Sequence, residues 1–226
     1  MDNQSLLDAF ECLRLADVRD GMDALGYHHY GSMSPQMRPL WPTRAAGIAR
    51  TVRYLPYQGP APRTEPDEYM QWAGSYYRDV CPYPWIERIE PGDLIVIDQS
   101  GINAGLMGSE NTLSCLRKGA RGLVSNGGVR DTDEVVLQEV PFWAKFRSQS
   151  MVQGRLQFDA MDVPVAVDGV QVRPGDVVVA DGDGVIVVPR EVAVQVAQIA
   201  TAEHDRDRKV RREHYRALGR DADKTV

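Results

Sequence analysis

Apolar residues recur along this chain in two periods, and the switches between them predict an order of helices and strands. Leu6, Leu7, Phe10 and Leu13 share one helical stripe, which predicts a helix over residues 5–15. Val18, Met22 and Leu25 line the face of a second helix, with Asp17 as its N-cap and Gly26 as its stop. Ile48, Val52 and Tyr54 alternate within GIARTVRY, so a strand is expected over 47–54. Leu113 and Leu116 set the core face of a helix over 108–118 that Gly119 ends. A strand over 122–125, a glycine turn and a helix over 130–138 come next, and 141–146 forms a short strand. Strands at 163–167 and 170–172 flank Asp168-Gly169, a hairpin signal. From Glu191 the pattern is helical again, with Val192, Val196 and Ile199 as the apolar stripe. From Glu203 to Arg216 that helix carries charge on nearly every face, so it is either solvated or laid on another subunit. Residues 221–226 are expected to fray.

Three stretches break the rhythm. Residues 27–44 hold three prolines and little periodicity; they read as loop, with His28 and His29 as loop residues rather than ligands. Residues 56–91 hold seven of the fourteen prolines, two tryptophans and five of the nine tyrosines. A helix over 65–78 there carries Tyr69, Trp72 and Tyr76, and a packed aromatic flap is favoured over a lid. Finally, IEPGDLIVIDQSG (89–101) and VRPGDVVVADGDG (172–184) are alike: Pro-Gly-Asp, four apolar residues, an aspartate, and a glycine three positions on. Each predicts a tight turn delivering a buried strand that exits at Asp98 or Asp181. The DGDG of the second copy lacks the spacing and terminal glutamate of a calcium loop and reads as turn chemistry.

Composition narrows the class. The 226 residues are 43% hydrophobic and 26% charged, which fits one globular domain with a sizeable core. A net charge of −6 argues against nucleic acid as a partner. Three cysteines without metal-type spacing fit a reducing compartment. With no apolar run of membrane-spanning length and no signal-peptide start, a cytoplasmic protein is expected. A single domain over 1–202 is expected, with 56–91 as its insertion and 203–226 as a charged C-terminal helix and tail.

Candidate chemistry gathers at two predicted helix starts. Gly108-Ser109-Glu110-Asn111 offers free backbone amides, a ready anion site. Gly127-Gly128-Val129-Arg130-Asp131 sets a guanidinium fork beside a hard oxygen donor. Asp131 with Glu134 three residues on also reads as a plain capping box, with Arg130 as a surface charge. In a parallel βαβ layout both starts lie at the carboxyl ends of neighbouring strands, on one rim of the sheet, and that shared rim favours a site.

These segments, with Asp17-Val18-Arg19-Asp20-Gly21-Met22, Ala46 to Val52, Pro91-Gly92-Asp93, Gly119-Ala120-Arg121-Gly122, Gly169 to Asp176 and Ala180 to Val185, resemble the RraA-like family in order and over most of the chain. That family includes class II pyruvate aldolases acting on 4-hydroxy-4-methyl-2-oxoglutarate or 4-carboxy-4-hydroxy-2-oxoadipate, and regulators of ribonuclease E. The resemblance implies an α/β layered sandwich with helices outside two central β-sheets, assembled as a homotrimer or hexamer. By the same resemblance Arg130 binds the pyruvyl carboxylate and carbonyl oxygen, Asp131 holds Mg²⁺ or Mn²⁺, and the amides of Gly108 to Asn111 cradle the carboxylate. An acidic residue from a neighbour's C-terminal helix, Glu203 or Asp207 here, supports metal-bound water. A divalent-metal lyase that releases pyruvate from a 4-hydroxy-2-oxoacid, with oxaloacetate decarboxylation as a side activity, is then expected. The alternative is a non-catalytic ribonuclease-binding regulator, but the regulators lack the aspartate at position 131. A methyltransferase is disfavoured by the absence of a G-x-G-x-x-G loop. Two departures from the aldolases are Ser109, with Glu110 one place late where an acid directly follows the loop glycine, and the longer, more aromatic 56–91.

Overall fold

A computed structural model describes residues 2–62 and 65–226. Helix α1 (Asn3–Phe10) is capped by Asp2, whose carboxylate accepts from the Ser5 amide at 2.8 Å. Helix α2 (Leu15–Ala24) starts earlier than expected. Arg14 is its N-cap, and Asp17 lies inside the first turn, where it accepts from the Arg14 amide at 2.9 Å. Strands β1 (Arg38–Pro39) and β2 (Ala45–Pro56) follow, then helix α3 (Pro66–Asp79), with Pro66 at the helix start where its missing N–H is harmless. A 3₁₀ turn at Pro84–Arg88 leads into β3 (Asp93–Asp98) and β4 (Gly105–Met107). Next come α4 (Ser109–Arg117), β5 (Gly122–Val129), α5 (Thr132–Leu137), β6 (Phe142–Arg147) and β7 (Leu156–Met161). The chain ends with β8 (Val165–Val167), β9 (Val170–Val172), β10 (Val177–Asp181), β11 (Gly184–Val188) and α6 (Ala193–Ala217).

The two sheets are unequal. Nine strands form one sheet in the order β1-β6-β5-β3-β2-β10-β11, with β4 beside β5 and β7 beside β2; β8 and β9 form a separate ribbon. The strands β2, β3, β5 and β6 are parallel. The large sheet curls until its ends nearly meet. Trp143 of β6 donates its indole N–H to Asp181 O of β10, Arg38 of β1 donates to Gly182 O, and Ser32 bridges to Ile186 of β11. Inside the curl, Leu94, Val96, Val124, Trp143, Val178 and Val187 pack against the ribbon's Val165, Val167, Val170 and Val172. Outside, α1, α2 and α6 cover Ile48, Val177 and Ile186, while α4, α5 and the 56–91 segment cover Ile95, Ile97, Leu123 and Phe142. Burial on both faces is why these strands read as unbroken apolar runs.

The repeat is real in detail. Gly92 and Gly175 both take positive φ (97° and 92°), and Asp93 and Asp176 each accept, at 2.8 Å, from the amide three residues before. The two copies flank the same strand: β3 runs parallel to β2 on one side and β10 antiparallel on the other. Asp98 and Asp181 close matching turns by accepting from the amides of Ser100 and Asp183.

Other expectations change. Leu113 is 42% exposed; Thr112 and Cys115 form the buried face of α4. The buried stripe of α6 is Ala193, Val196, Ala197 and Ala200, one position out of step with Ile199. Residues 221–226 fold back instead of fraying: Arg208 and Arg211 donate to Val226 O and Thr225 O, and Tyr215 to Asp223. Strand β7, unforeseen, pairs antiparallel with the second half of β2. Among the described residues no helix is long and apolar enough to cross a membrane.

Candidate functional site

The expected glycine turn is not a turn. Strand β5 runs through Gly127 and Gly128 to Val129. The glycines are there for close approach: a Cβ on Gly127 would overlap the Gln99 side chain, and one on Gly128 would lie 2.8 Å from Ala104 O. Gln99 is fully buried; its amide N–H donates to Ala104 O at 2.7 Å, and its carbonyl accepts from Ser125 Oγ at 2.9 Å. Asn126 accepts from the Gln99 backbone amide and donates to Asp98. This buried polar set, which no sequence pattern announced, pins loop 99–104 over β5, so that β4 pairs beside Gly128 and Val129.

The chain turns at Asp131, whose φ of 54° is left-handed. Asp131 occupies the N-cap position of α5, yet its side chain makes no capping bond there. The capping-box reading therefore fails. The carboxylate points across to α4, where Oδ2 accepts from the Ser109 amide at 3.2 Å while Oδ1 accepts from Arg130 Nε at 3.1 Å. A Cβ on Gly108 would overlap Asp131 Oδ2, so only glycine admits the carboxylate here. The two helix starts do share a rim, and Asp131 already takes one of the free amides of α4.

An open cleft of about 480 Å³ lies over this rim. It is lined by Gly108, Glu110, Asn111, Arg130 and Asp131, by Gly105 and Leu106 of β4, and by Tyr77, Tyr83 and Met151. Ser109 contributes through its amide to Asp131. Arg130 and Asp131 are each about one-third exposed, at 35% and 33%. Tyr83 donates its hydroxyl to Leu106 O at 2.8 Å, and burial holds its phenol well above the usual tyrosine range. Tyr77 and Tyr83 reach the cleft from the aromatic 56–91 segment, whose tyrosine density is the one sequence signal for them. Tyr76 and Trp85 of the same segment are buried in the core, as the packing reading expects.

Glu203 and Asp207 are not brought to this cleft. Glu203 pairs with Arg206, and Asp207 pairs with Arg14 at 2.7 Å and Arg211 at 3.3 Å, beside α2. His28 is exposed and pairs with Asp23. Among the described residues no three His, Cys, Asp or Glu side chains cluster as a metal cage. The donor set at the cleft suits Mg²⁺ or Mn²⁺, which are held by one or two carboxylates with substrate oxygens and waters, and Asp131 offers one such carboxylate.

The model of the RraA-like family, described as Aldolase/RraA, matches residues 15–187. Protein DlpA of Legionella pneumophila is 27% identical over 178 residues, 78% of this chain but 26% of that protein. The 4-hydroxy-4-methyl-2-oxoglutarate aldolase of Thermus thermophilus is 34% identical over 109 residues, 46% of this chain and 63% of that protein. The matched stretches span less than two thirds of these curated relatives. Among solved structures, an uncharacterized protein from Pseudomonas syringae superposes with a TM-score of 0.75 at 29% identity, covering 96% of this chain and 94% of that one. RraAS2 of Streptomyces coelicolor, described as an unusual member of the RNase ES inhibitor RraA protein family, gives 0.73 at 27% identity, covering 93% and 97%.

Proposed function

Since the chain belongs to the RraA-like family, we propose that it is a divalent-metal-dependent lyase that cleaves a C–C bond of a 4-hydroxy-2-oxoacid and releases pyruvate, with oxaloacetate decarboxylation as a side activity. The observation that carries this reading is the Arg130–Asp131 pair aimed at the start of α4, with Asp131 bonded to the Ser109 amide.

The roles follow from the side chains. Arg130 presents a planar donor fork to the carboxylate and 2-oxo oxygen of a pyruvyl unit. As the C3–C4 bond breaks, its electron pair moves onto C3 and the 2-oxo oxygen, and the guanidinium stabilises that developing charge. In this reading Glu110, the other carboxylate lining the cleft, takes the C4 hydroxyl proton. C3 is then protonated by water. Asp131 would hold Mg²⁺ or Mn²⁺, which when bound supplies Lewis-acid polarisation of the 2-oxo group. A homotrimer or hexamer, in which Glu203 or Asp207 of one copy reaches the cleft of the next, belongs to this proposal.

The test is pyruvate release from oxaloacetate and from 4-hydroxy-4-methyl-2-oxoglutarate with Mg²⁺, with and without chelator. Arg130→Ala and Asp131→Ala should each lower turnover about 10²–10³-fold at unchanged folding. Turnover indifferent to chelator and to both substitutions would sink the reading. The likeness to RraAS2 favours a second reading, a non-catalytic module that binds a ribonuclease. That reading requires capture of an RNA-processing partner that survives Arg130→Ala.

A further inference from the structure

The cleft is lined by two chemistries. Arg130, Asp131, Glu110 and Asn111 are charged or polar. Tyr77 and Tyr83 of the 56–91 segment, Leu106 from β4, and Met151 give it an aromatic and apolar wall. The two tyrosine rings stand 6.1 Å apart and are tilted by 33°, within the range of attractive aromatic pairs. The Tyr83 ring is held in place by its hydroxyl bond to Leu106 O and by the neighbouring rings of Tyr54 and Trp85. Leu106 is buried, so its wall is fixed as well.

Charge at the cleft is lopsided. Among the described residues lining it, Arg130 is the sole cation, against the carboxylates Asp131 and Glu110. Once Arg130 binds the pyruvyl carboxylate, no second cation of this chain's own lining remains for another one. A distal carboxylate laid against Tyr77, Tyr83, Leu106 and Met151 would be desolvated with no cation of this chain's lining to offset it. An uncharged ring or alkyl group would instead bury apolar area, and the methionine adapts to its outline. The volume of 480 Å³ lies within the ~300–1,000 Å³ of ordinary ligand clefts and leaves room for a ring beyond the pyruvyl unit.

We propose that the substrate's C4 substituent is an aromatic or apolar, uncharged group, so that this chain takes aryl- or alkyl-substituted 4-hydroxy-2-oxoacids rather than dicarboxylates, with Tyr77, Tyr83 and Met151 as the selecting residues. The inference rests on the lyase reading for its chemistry. The C3–C4 bond breaks, its electrons go to the pyruvate enolate, the C4 hydroxyl loses its proton and C4 becomes the carbonyl of an aldehyde. Protonation of C3 completes the balance, and no oxidant or reductant is needed.

Binding and turnover test the two ideas separately. Phenylpyruvate and 2-oxoglutarate share the 2-oxoacid head and differ in an aromatic against a carboxylate tail. Calorimetric titration of the Mg²⁺-loaded protein should show phenylpyruvate binding about tenfold more tightly. In turnover, kcat/KM for 4-hydroxy-2-oxo-4-phenylbutanoate should exceed that for 4-hydroxy-4-methyl-2-oxoglutarate by a similar factor. Tyr77→Ala should erase most of the preference, and Met151→Arg, which adds a cation to the wall, should reverse it. Equal or tighter binding of 2-oxoglutarate, or a preference unchanged in both variants, overturns the inference. Dicarboxylate-selective turnover overturns it while keeping the lyase reading. Aromatic-selective binding without metal-dependent turnover of these substrates or of oxaloacetate keeps the specificity and overturns the lyase.

Discussion

At the scale of single residues, the site depends on an atom that is missing. A methyl group on Gly108 would collide with Asp131 Oδ2, the tip of a movable side chain. Gly108→Ala should therefore fold and still misplace the carboxylate, breaking its bonds to the Ser109 amide and Arg130 Nε. Displacement of this kind costs about 100-fold in turnover. The melting temperature should fall by only ~2–4 °C, the equivalent of about 1 kcal/mol for a chain of this size. A pyruvate assay beside a thermal melt decides; full activity, or a collapse of the melt, contradicts the account. Glycine also marks where the sequence misleads. Gly127-Gly128 reads as a turn because glycine is the residue of positive φ, but here it serves an extended strand crossed by Gln99. Nothing in the five residues distinguishes these uses; only Gln99, 28 positions upstream of Gly127, does. A second residue-scale case is Asp17, which is 1% exposed. Burial alone would raise its carboxyl, yet bonds from the Arg14 side chain and amide and from His204 outweigh burial and hold it below the usual aspartate range. A depressed folded value means the contribution is complete above the unfolded value of ~3.9 and is lost as pH falls through the folded value. Asp17→Asn should cost about 1–3 kcal/mol at neutral pH. In urea melts at a series of pH values, its deficit against the native protein should hold steady above pH ~5 and shrink below pH ~4. A deficit that stays constant down to pH 2 would refute this.

At the scale of elements, the packing of α2 on α6 turns on Gly21, where a Cβ would lie 2.8 Å from the Val196 carbonyl. Backbone cannot yield as a side chain does, so Gly21→Ala should cost about 1–3 kcal/mol. A Cβ on Gly74, inside α3, would meet nothing within 4 Å, so Gly74→Ala should stabilise by about 0.5–1 kcal/mol. Denaturant midpoints of the two variants should move in opposite directions; a shared direction would reject the packing argument. Local signals of this size explain which elements were legible. The Asp168-Gly169 hairpin needed only two residues that tolerate positive φ, and both have it, at 49° and 86°. The Pro-Gly-Asp copies needed only a turn and a buried strand. Strand β7 left no such trace, because LQFDAM is mostly half-exposed and is held by pairing with β2, a partner about 100 positions away. Leu113 failed for a related reason. Its period was right, but the start of α4 is set by the rim, which turns Thr112 and Cys115 inward.

At the scale of the whole molecule, the near-closed sheet separates the acids of the expected site. Arg130 and Asp131 sit on the flank covered by α4 and α5, while Glu203 and Asp207 sit on α6, over the opposite flank. A chain folded this way does not bring them together, so the proposed site needs a second copy. In the proposed homotrimer or hexamer, head-to-tail contact closing into a ring would give every cleft the same neighbour. The second half of α6, charged and largely exposed, suits such a reach. Complementation makes this quantitative. Arg130→Ala removes the clamp in its own chain, and a Glu203→Gln, Asp207→Asn double variant removes the acids lent to the next. Each alone should be inactive. If the two are unfolded together in equal amounts and refolded, a site is intact when its own chain is native at 130 and its neighbour is native at 203 and 207. Each condition holds for half of the chains, so about a quarter of native activity should return in a closed ring. If the acids act within their own chain, or not at all, mixing should add nothing to the sum of the separate variants. Light scattering on the mixture should meanwhile report a trimer or hexamer, and a monomer that retained full activity would end the shared-site idea.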